Sequence, residues 1–288
     1  MDCQDITKSI KFIAQCRQDF DDFFMPSHPD LYSAWQIHQL IKDEIRHINT
    51  EYRITLSDSE IGFCQNVFDL LRLTDEKGKK LDVAKAYQEG EILLPTEIEM
   101  ESAINQGYTN IILVPGFIDR FELFKKIRAY YQILSPQALS FTDGIRDHLD
   151  MLLRAILQKN AKHRPKKYYL FCIKPEDITK SHESTFGRHS KELEQEMREI
   201  SNEWKVRLEG VNLIEYLLID IYQNSLGQTS YSEPIQCKLL GETYTANFED
   251  FQLTIYWQDQ QHGYTIIDTP AENDAKSAGA RYVILPKR

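Results

Sequence analysis

The sequence lacks the residue patterns that usually identify a nucleotide site, a zinc site or a serine hydrolase. It contains neither a G-x-x-x-x-G-K-[ST] loop nor a G-x-G-x-x-G loop, so no standard phosphate-binding loop is present. The G-x-S-x-G elbow that exposes a catalytic serine and the H-E-x-x-H zinc motif are also missing. The sequence therefore predicts no metal site, leaves any cofactor unknown and holds no complete catalytic motif.

Cysteines are few, odd in number and widely separated. No two of them form a C-x-x-C pair, which argues against a zinc ribbon and against a disulfide framework. We expect the thiols to be reduced and mostly buried, because free cysteine behaves as a small apolar side chain. The five residues are Cys3, Cys16, Cys64, Cys172 and Cys237.

Long hydrophobic runs are absent as well. No apolar stretch approaches the ~18 residues that a membrane-spanning helix needs. The N-terminal residues MDCQDITKSIKF lack the basic start and the apolar block of a signal peptide, so the sequence predicts a cytoplasmic protein without a membrane partner. A composition of 42% hydrophobic and 27% charged residues is typical of a soluble globular chain.

The formal net charge of −10 argues against broad nucleic-acid binding, which needs clustered Lys and Arg to neutralise phosphates. The charges are nevertheless unevenly distributed. Residues 159–167 include five basic side chains and no acid, whereas residues 242–274 include seven acids and no Lys or Arg. We interpret both stretches as solvated surface.

Two short apolar runs organise the middle of the chain. Residues 108–118 hold four consecutive aliphatic side chains and stop at Pro115-Gly116, a pattern typical of a strand buried on both faces. Residues 168–174 have the same character and are closed by Pro175. Helical sequence lies between the two runs, and so long a connection favours parallel pairing through a right-handed crossover.

The remaining pattern predicts an α/β or α+β protein in three regions. Residues 1–80 form a helical N-terminal region whose third helix begins with a capping box at Ser57 and Glu60. Residues 81–227 form a mixed or parallel α/β core, in which Thr96 and Glu99 have the same capping-box spacing. Residues 228–288 alternate short strand-forming runs with turn residues, which predicts a small antiparallel β-module.

The densest polar cluster, SHESTFGRH, occupies residues 181–189, soon after the second apolar run. Open α/β sheets bind ligands beyond the carboxyl ends of their strands, so parallel strands would bring the Pro115-Gly116 loop to this cluster. Histidine titrates near neutrality and a nearby carboxylate can fix its tautomer, so the predicted catalytic residues are His182, Glu183 and His189. The predicted ligand-binding residues are Asp119, Arg120 and Arg188.

Two functions from different classes remain open at this stage. The favoured one is a binding or interaction protein whose partner is another protein or a small anionic ligand. The alternative is a hydrolase-like enzyme that uses the 182–189 loop together with Asp119 and Arg120. In a third interpretation the cluster has no catalytic or binding role. Ser190 or Thr185 would then cap the helix that begins near Ser190.

Overall fold

The structure is a computed structural model, and all the residues it describes belong to the larger of two units. Contacts between Cα atoms divide the chain into Met1–Thr55 and Leu56–Arg288. The first two predicted N-terminal helices lie outside the described residues. The described residues are 56–135, 138–141, 149–161, 164–174, 189–225, 236–246, 249–258, 263–270, 278–280 and 282–286.

Helices and strands alternate through this part of the chain and form two mixed sheets, so the fold is α+β. The helices are α1 Asp58–Leu70, α2 Val83–Gln88, α3 Glu97–Asn105, α4 Arg120–Leu134, α5 Leu149–Ala161, α6 Ser190–Trp204 and α7 Leu213–Ser225. The strands are β1 Ile92–Leu93, β2 Asn110–Pro115, β3 Leu139–Phe141, β4 Tyr168–Ile173, β5 Arg207–Gly210, β6 Gln236–Ala246, β7 Glu249–Gln258, β8 Gly263–Pro270, β9 Ala278–Ala280 and β10 Tyr282–Leu285.

Strand β4 is the centre of the first sheet, and every one of its residues is buried. On one side it pairs with β2 along its whole length. On the other side it pairs with β1 and with β10, and β10 continues the sheet to β5. The two apolar runs identified in the sequence are therefore neighbouring strands.

The predicted parallel pairing of these two strands is wrong. Strands β2 and β4 are antiparallel, with Asn110 opposite Ile173 and Pro115 opposite Tyr168. The connection between them includes β3, which belongs to the other sheet, so the chain does not make a single crossover. It returns to the first sheet at the end where β2 stops, and this reverses the expected direction of β4.

The second sheet has the order β3-β8-β7-β6-β9. Its central strands β6, β7 and β8 form the antiparallel meander that the C-terminal sequence predicts. Strand β3 comes from the predicted core region and pairs with β8, whereas β10 comes from the C-terminal region and pairs within the first sheet. The two regions thus exchange strands, and the division of the chain into separate regions at residues 227 and 228 stays a prediction.

Local sequence signals mark several helix starts correctly. Both predicted capping boxes are present: Ser57 with Glu60 at the start of α1, and Thr96 with Glu99 at the start of α3. In each box the hydroxyl accepts the N3 backbone N–H while the N3 carboxylate accepts the cap N–H, so two otherwise unpaired donors are satisfied. Confirmation at both positions shows that these helices begin where local chemistry favours them.

Helix α7 is buried around its whole circumference from Leu213 to Tyr222. Its Asp220 accepts hydrogen bonds from the hydroxyls of Tyr131 on α4, at 2.5 Å, and Tyr264 on β8, at 2.6 Å. A buried carboxylate costs free energy unless donors compensate it, and here two phenols do so. Asp220 therefore links α4, α7 and the second sheet.

The described cysteines and helices agree with two further sequence observations. Cys64, Cys172 and Cys237 are free thiols and all three are buried, as predicted. Cys3 and Cys16 lie outside the described residues. Within the described ranges, no helix combines the length and the apolar character needed to cross a membrane.

Candidate functional site

The structure describes only one of the residues predicted for the 181–189 cluster. His182, Glu183 and Arg188 lie outside the described residues, as does Thr185. His189 is exposed and occupies the N-cap position of α6, where its side chain makes no cap hydrogen bond. The catalytic roles of this cluster therefore stay predictions.

Ser190 is not a helix cap, which corrects one of the alternatives drawn from the sequence. It is the first residue of α6, and its hydroxyl donates to Oε1 of Gln252 on β7 at 2.5 Å. This hydrogen bond connects α6 to the second sheet. The residue thus helps to pack the helix, while the cap position itself belongs to His189.

Asp119 and Arg120 have identifiable structural roles at the start of α4. Asp119 is its N-cap, and its Oδ1 accepts the N–H groups of Phe121 and Glu122 at 3.0 and 3.2 Å. Arg120 is only 7% exposed, and its Nη2 donates to the Tyr169 hydroxyl at 3.4 Å. Its Nη1 is buried and has no hydrogen-bond partner among the residues that the structure describes.

The antiparallel pairing removes the reason for grouping Asp119 and Arg120 with the 181–189 cluster. The chain leaves β2 at Pro115, beside the first residue of β4, Tyr168. It leaves β4 at Ile173, at the opposite end of the strand. The expectation that both exits share one edge of the sheet is therefore wrong, and a joint pocket is left as a prediction without that support.

A charged cleft of about 460 Å³ lies where β2 ends and β4 begins. Its lining combines five lysines, four carboxylates and two aromatic rings with two small apolar residues. The lining residues are Asp75, Lys79, Lys80, Leu81, Asp82, Lys85, Ala86, Glu89, Glu91, Phe117, Lys166, Lys167 and Tyr168.

One wall of the cleft is a tight turn between α1 and α2. The Oδ1 atom of Asp75 accepts the backbone N–H groups of Lys77 and Lys79 at 2.9 and 2.8 Å, and Thr74 bridges to Lys80. Side chains of Asp commonly stabilise turns in this way. The turn fixes the backbone that carries Lys79 into the cleft.

Another wall of the cleft is formed by residues 166–168, and Gly116 packs directly against the backbone of this segment. A Cβ atom at Gly116 would lie 2.2 Å from the Pro165 carbonyl oxygen and 2.6 Å from that of Lys167. The Gly116 N–H also donates to the Lys167 carbonyl at 3.0 Å. Glycine is therefore required here, because any side chain would push the lysine-bearing segment away.

The two aromatic rings of the cleft contact each other. Phe117 meets Tyr168 edge to face with ring centroids 4.8 Å apart, and Phe68 stacks on Tyr168 at 6.3 Å. Edge-to-face and offset-stacked arrangements are the favoured geometries for aromatic pairs. Tyr168 is thus held in place from two sides and gives the cleft a fixed apolar surface.

The wall that carries the lysines is anchored by Arg164, which is 7% exposed. Its Nε and Nη2 donate to the two carboxylate oxygens of Glu215 at 2.7 and 2.9 Å. Nη2 also donates to the Gly210 carbonyl at 2.9 Å, and Nη1 donates to Glu209. This geometry is bidentate, and additional bonds satisfy the remaining donors, which is the arrangement a buried ion pair needs.

Arg164 is the exception in the basic stretch 159–167, which we had interpreted as solvated surface. Lys159, Lys166 and Lys167 are exposed, as predicted, but the guanidinium of Arg164 is in the interior. Its partner Glu215 was missed altogether. The available signal was the presence of two acids, Glu215 and Asp220, inside the apolar helical run LIEYLLID, since an acid in such a run needs a buried partner.

The protonation states of this buried network suit an anchor rather than a proton-transfer site. Burial opposes ionisation of Glu215, but the Arg164 and Arg120 guanidinium groups outweigh it and hold the pKa of this carboxyl below its ordinary value. Burial, together with the neighbouring Glu215 charge, raises the pKa of Tyr169, whose hydroxyl donates to Glu215 Oε1 at 3.0 Å. The carboxylate is therefore charged and the phenol protonated near neutral pH.

The five lysines of the cleft fall into two groups. Lys80 pairs with Asp69 at 2.7 Å, and Lys85 lies 3.6 Å from Glu89, the C-cap of α2. The other three are exposed, and they form no ion pair with any residue in the described part of the chain. These are Lys79, Lys166 and Lys167.

Three of the carboxylates act electrostatically on the Tyr168 hydroxyl. Burial raises the pKa of Tyr168 to about 12, and the charges of Glu91, Asp75 and Asp82 add to that increase. Within the described ranges, no group of three or more His, Cys, Asp or Glu is arranged to hold a metal ion. The cleft therefore combines lysines with carboxylates, and its described residues form no metal-binding group.

Comparisons with known proteins give no family assignment for the chain. No family model, no curated protein and no solved structure matches it. Function is therefore inferred from the geometry of the cleft and from the chemistry of its side chains.

Proposed function

We propose that this chain is a binding protein whose charged cleft takes a small anionic ligand. The observation that supports the proposal is the presence of three exposed lysines in one cleft of about 460 Å³, none of which forms an ion pair with another described residue: Lys79, Lys166 and Lys167. Small-molecule sites usually have volumes of roughly 300 to 1,000 Å³, and the cleft falls within that range.

The lysines reach the cleft from two segments that are separately fixed. The Asp75 turn holds the backbone of Lys79, and the buried ion pair of Arg164 with Glu215 holds the segment of Lys166 and Lys167. A fixed backbone reduces the entropy lost when a ligand binds. Only the lysine side chains need to become ordered around the anion.

The chemistry of the lining matches a carboxylate or phosphate group attached to a small apolar body. An ammonium group forms strong charge-assisted hydrogen bonds with either anion. The rings of Phe117 and Tyr168 provide an apolar contact surface for the rest of the ligand. Ligand pockets generally combine an apolar surface with polar groups that orient the ligand, and this cleft has both aromatic rings and charged side chains.

The test is a calorimetric titration with ethyl phosphate, on the wild-type chain and on a Lys79→Gln/Lys166→Gln/Lys167→Gln variant. Each exposed ion pair contributes about 0.2 to 1 kcal/mol, so loss of all three should weaken binding by on the order of tenfold. Added salt should weaken wild-type binding as well, because the contacts are exposed to solvent.

The matched control is Lys126→Gln, which removes an exposed lysine of α4 that does not line the cleft. Its affinity for ethyl phosphate should equal that of the wild-type chain. Equal affinity in the triple variant would contradict the proposal, and so would the absence of saturable binding to the wild-type chain.

The hydrolase-like alternative stays a prediction. Three of its residues, His182, Glu183 and Arg188, lie outside the described residues, and Asp119 is used as a helix cap. A detected hydrolytic activity that disappears in His182→Ala, at unchanged thermal stability, would support it.

A further inference from the structure

We propose that the anionic ligand of the cleft carries a planar aromatic ring, which stacks on Phe117 while the anionic group contacts the lysines. This inference rests on the proposed function, since it assigns a chemical class to the ligand of the same cleft. Three features of Phe117 support the assignment: its exposure, an uncovered face of its ring, and the fixed position of its backbone beside Lys167.

The first feature is the exposure of Phe117, which is unusual for a large apolar side chain. Phe117 is 38% exposed, whereas the other apolar and aromatic residues that line the cleft are at most 6% exposed. These are Leu81, Ala86 and Tyr168. Ligand sites are usually lined by apolar and aromatic side chains, which the ligand removes from water. The ring of Phe117 is therefore the main apolar surface that a ligand in this cleft can cover.

The second feature is a ring face that no other aromatic side chain covers. The contact of Phe117 with Tyr168 has ring centroids 4.8 Å apart and an interplanar angle of 71°, so it covers at most one face of the Phe117 ring. Phe117 makes no other aromatic or cation–π contact with a described residue. A planar ring can therefore stack on the uncovered face in the offset geometry that aromatic pairs favour.

The third feature is the fixed backbone that carries Phe117. The Ile118 N–H donates to the Pro115 carbonyl at 3.1 Å and closes a four-residue turn in which Phe117 is the third residue. The preceding residue, Gly116, donates its N–H to the Lys167 carbonyl at 3.0 Å and leaves no room for a Cβ atom. The turn thus holds Phe117 next to the lysine-bearing segment, and its backbone loses little entropy when a ligand binds.

The ring, rather than the charges, distinguishes one anion from another. Lysines and carboxylates are interleaved in the lining, because the register of β1 with β4 places Glu91 level with Lys167. Any phosphate or carboxylate can contact the lysines, so charge alone gives little selectivity among anions. A flat ring on Phe117 adds the favourable geometry of paired aromatic quadrupoles, which a saturated ring of similar size lacks.

The experiment compares two phosphate monoesters that differ in the nature of the ring. Phenyl phosphate and cyclohexyl phosphate carry the same phosphate on rings with the same number of carbons, but only the first ring is flat and aromatic. In mildly alkaline buffer both phosphates are doubly ionised, because their second pKa is about 6. Calorimetric titration of the wild-type chain should give about two- to tenfold tighter binding of phenyl phosphate, the range expected for one aromatic pair.

Phe117→Leu tests where the ligand ring lies. It should remove the preference for phenyl phosphate, since leucine keeps an apolar side chain but has no ring face. Phe117→Tyr keeps the ring and should keep the preference. Tyr130→Leu is the matched control, because it removes a half-buried ring of α4 that does not line the cleft, and it should also keep the preference.

The outcomes separate this inference from the function on which it rests. Substitution of the three lysines should weaken the binding of both probes by a similar factor. Equal binding of the two probes to the wild-type chain would overturn the aromatic ligand and leave the anion site intact, whereas binding of neither probe would overturn both. A preference that persists in Phe117→Leu, or that is lost in Phe117→Tyr or Tyr130→Leu, would also overturn the inference, because the ligand ring would then not stack on Phe117.

Discussion

Two neighbouring parts of one basic segment show opposite uses of charge. Arg164 is 7% exposed and is bonded to two carboxylates and a backbone carbonyl, whereas Lys166 and Lys167 are exposed and unpaired within the described chain. Only two and three residues separate them from Arg164. These residues are close in sequence and carry the same charge, so the difference in burial determines whether each one contributes to stability or to binding.

The contrast has a simple energetic origin. A charge moved into the interior loses its hydration, so it must be paired and hydrogen-bonded to be tolerated. An exposed lysine remains hydrated and has no such requirement. The buried network of Arg164 and Glu215 should therefore control stability, and the exposed lysines of the cleft should control binding.

The largest expected effect is that of Arg164→Met. The substitution leaves Glu215, which is 0% exposed, without its principal partner. Removal of one member of a buried ion pair typically costs about 3–5 kcal/mol, and we expect a loss in that range in urea unfolding. Lys166→Gln, two residues away, should change the free energy of unfolding by less than about 0.5 kcal/mol. Similar losses of unfolding free energy in the two variants would show that the buried Arg164–Glu215 network does not contribute more to stability than the exposed lysines of the cleft.

A smaller effect is expected for Gly116→Ala. Its new Cβ would meet the carbonyl oxygens of Pro165 and Lys167, and overpacking of this kind costs about 1–3 kcal/mol. Gly62→Ala in the exposed face of α1 is the matched control, because no atom lies within 4 Å of the added Cβ. It should stabilise the chain by about 0.5–1 kcal/mol, as expected for glycine replaced in a helix. A stabilising Gly116→Ala would show that the close packing is not required.

A gradual effect is expected from pH, and its sign follows from Glu215. The folded-state pKa of this carboxyl lies below its ordinary value of 4.5, so its contribution to stability is complete above about pH 4.5. That contribution is lost as pH falls through the folded-state pKa, because protonation then removes the pairing with Arg164. The stability difference between the wild-type chain and Glu215→Gln should therefore narrow on acidification, as measured by urea unfolding at several pH values. A difference that widens would mean that Glu215 is protonated in the folded state.

Local features of the fold could be predicted from the sequence, whereas the pairing of distant strands could not. The capping boxes at Ser57 and Thr96 and the β6–β8 meander depend on residues close in the chain. The direction of β4 and the return of β10 between β4 and β5 depend on where distant segments meet. An apolar strand that is buried on both faces can pair with its neighbour in either a parallel or an antiparallel direction. Its composition therefore does not predict the direction of pairing.

The candidate site shows the same limit. Exposure of Lys166 and Lys167 follows from the charge pattern, but the cleft also needs the Asp75 turn, about ninety residues earlier in the chain. Arg120 was predicted to bind a ligand, and its guanidinium lies in the interior beside Tyr169. The sequence shows which residues carry charge, but only the tertiary fold determines which of them are buried.

The most direct test of the account measures two quantities on one protein, the Lys79→Gln/Lys166→Gln/Lys167→Gln variant. We predict that each of the three substitutions changes the free energy of unfolding by less than about 0.5 kcal/mol. We also predict that the variant binds ethyl phosphate on the order of tenfold more weakly than the wild-type chain. Unchanged binding, or a loss of stability as large as that of Arg164→Met, would contradict the assignment of these lysines to binding.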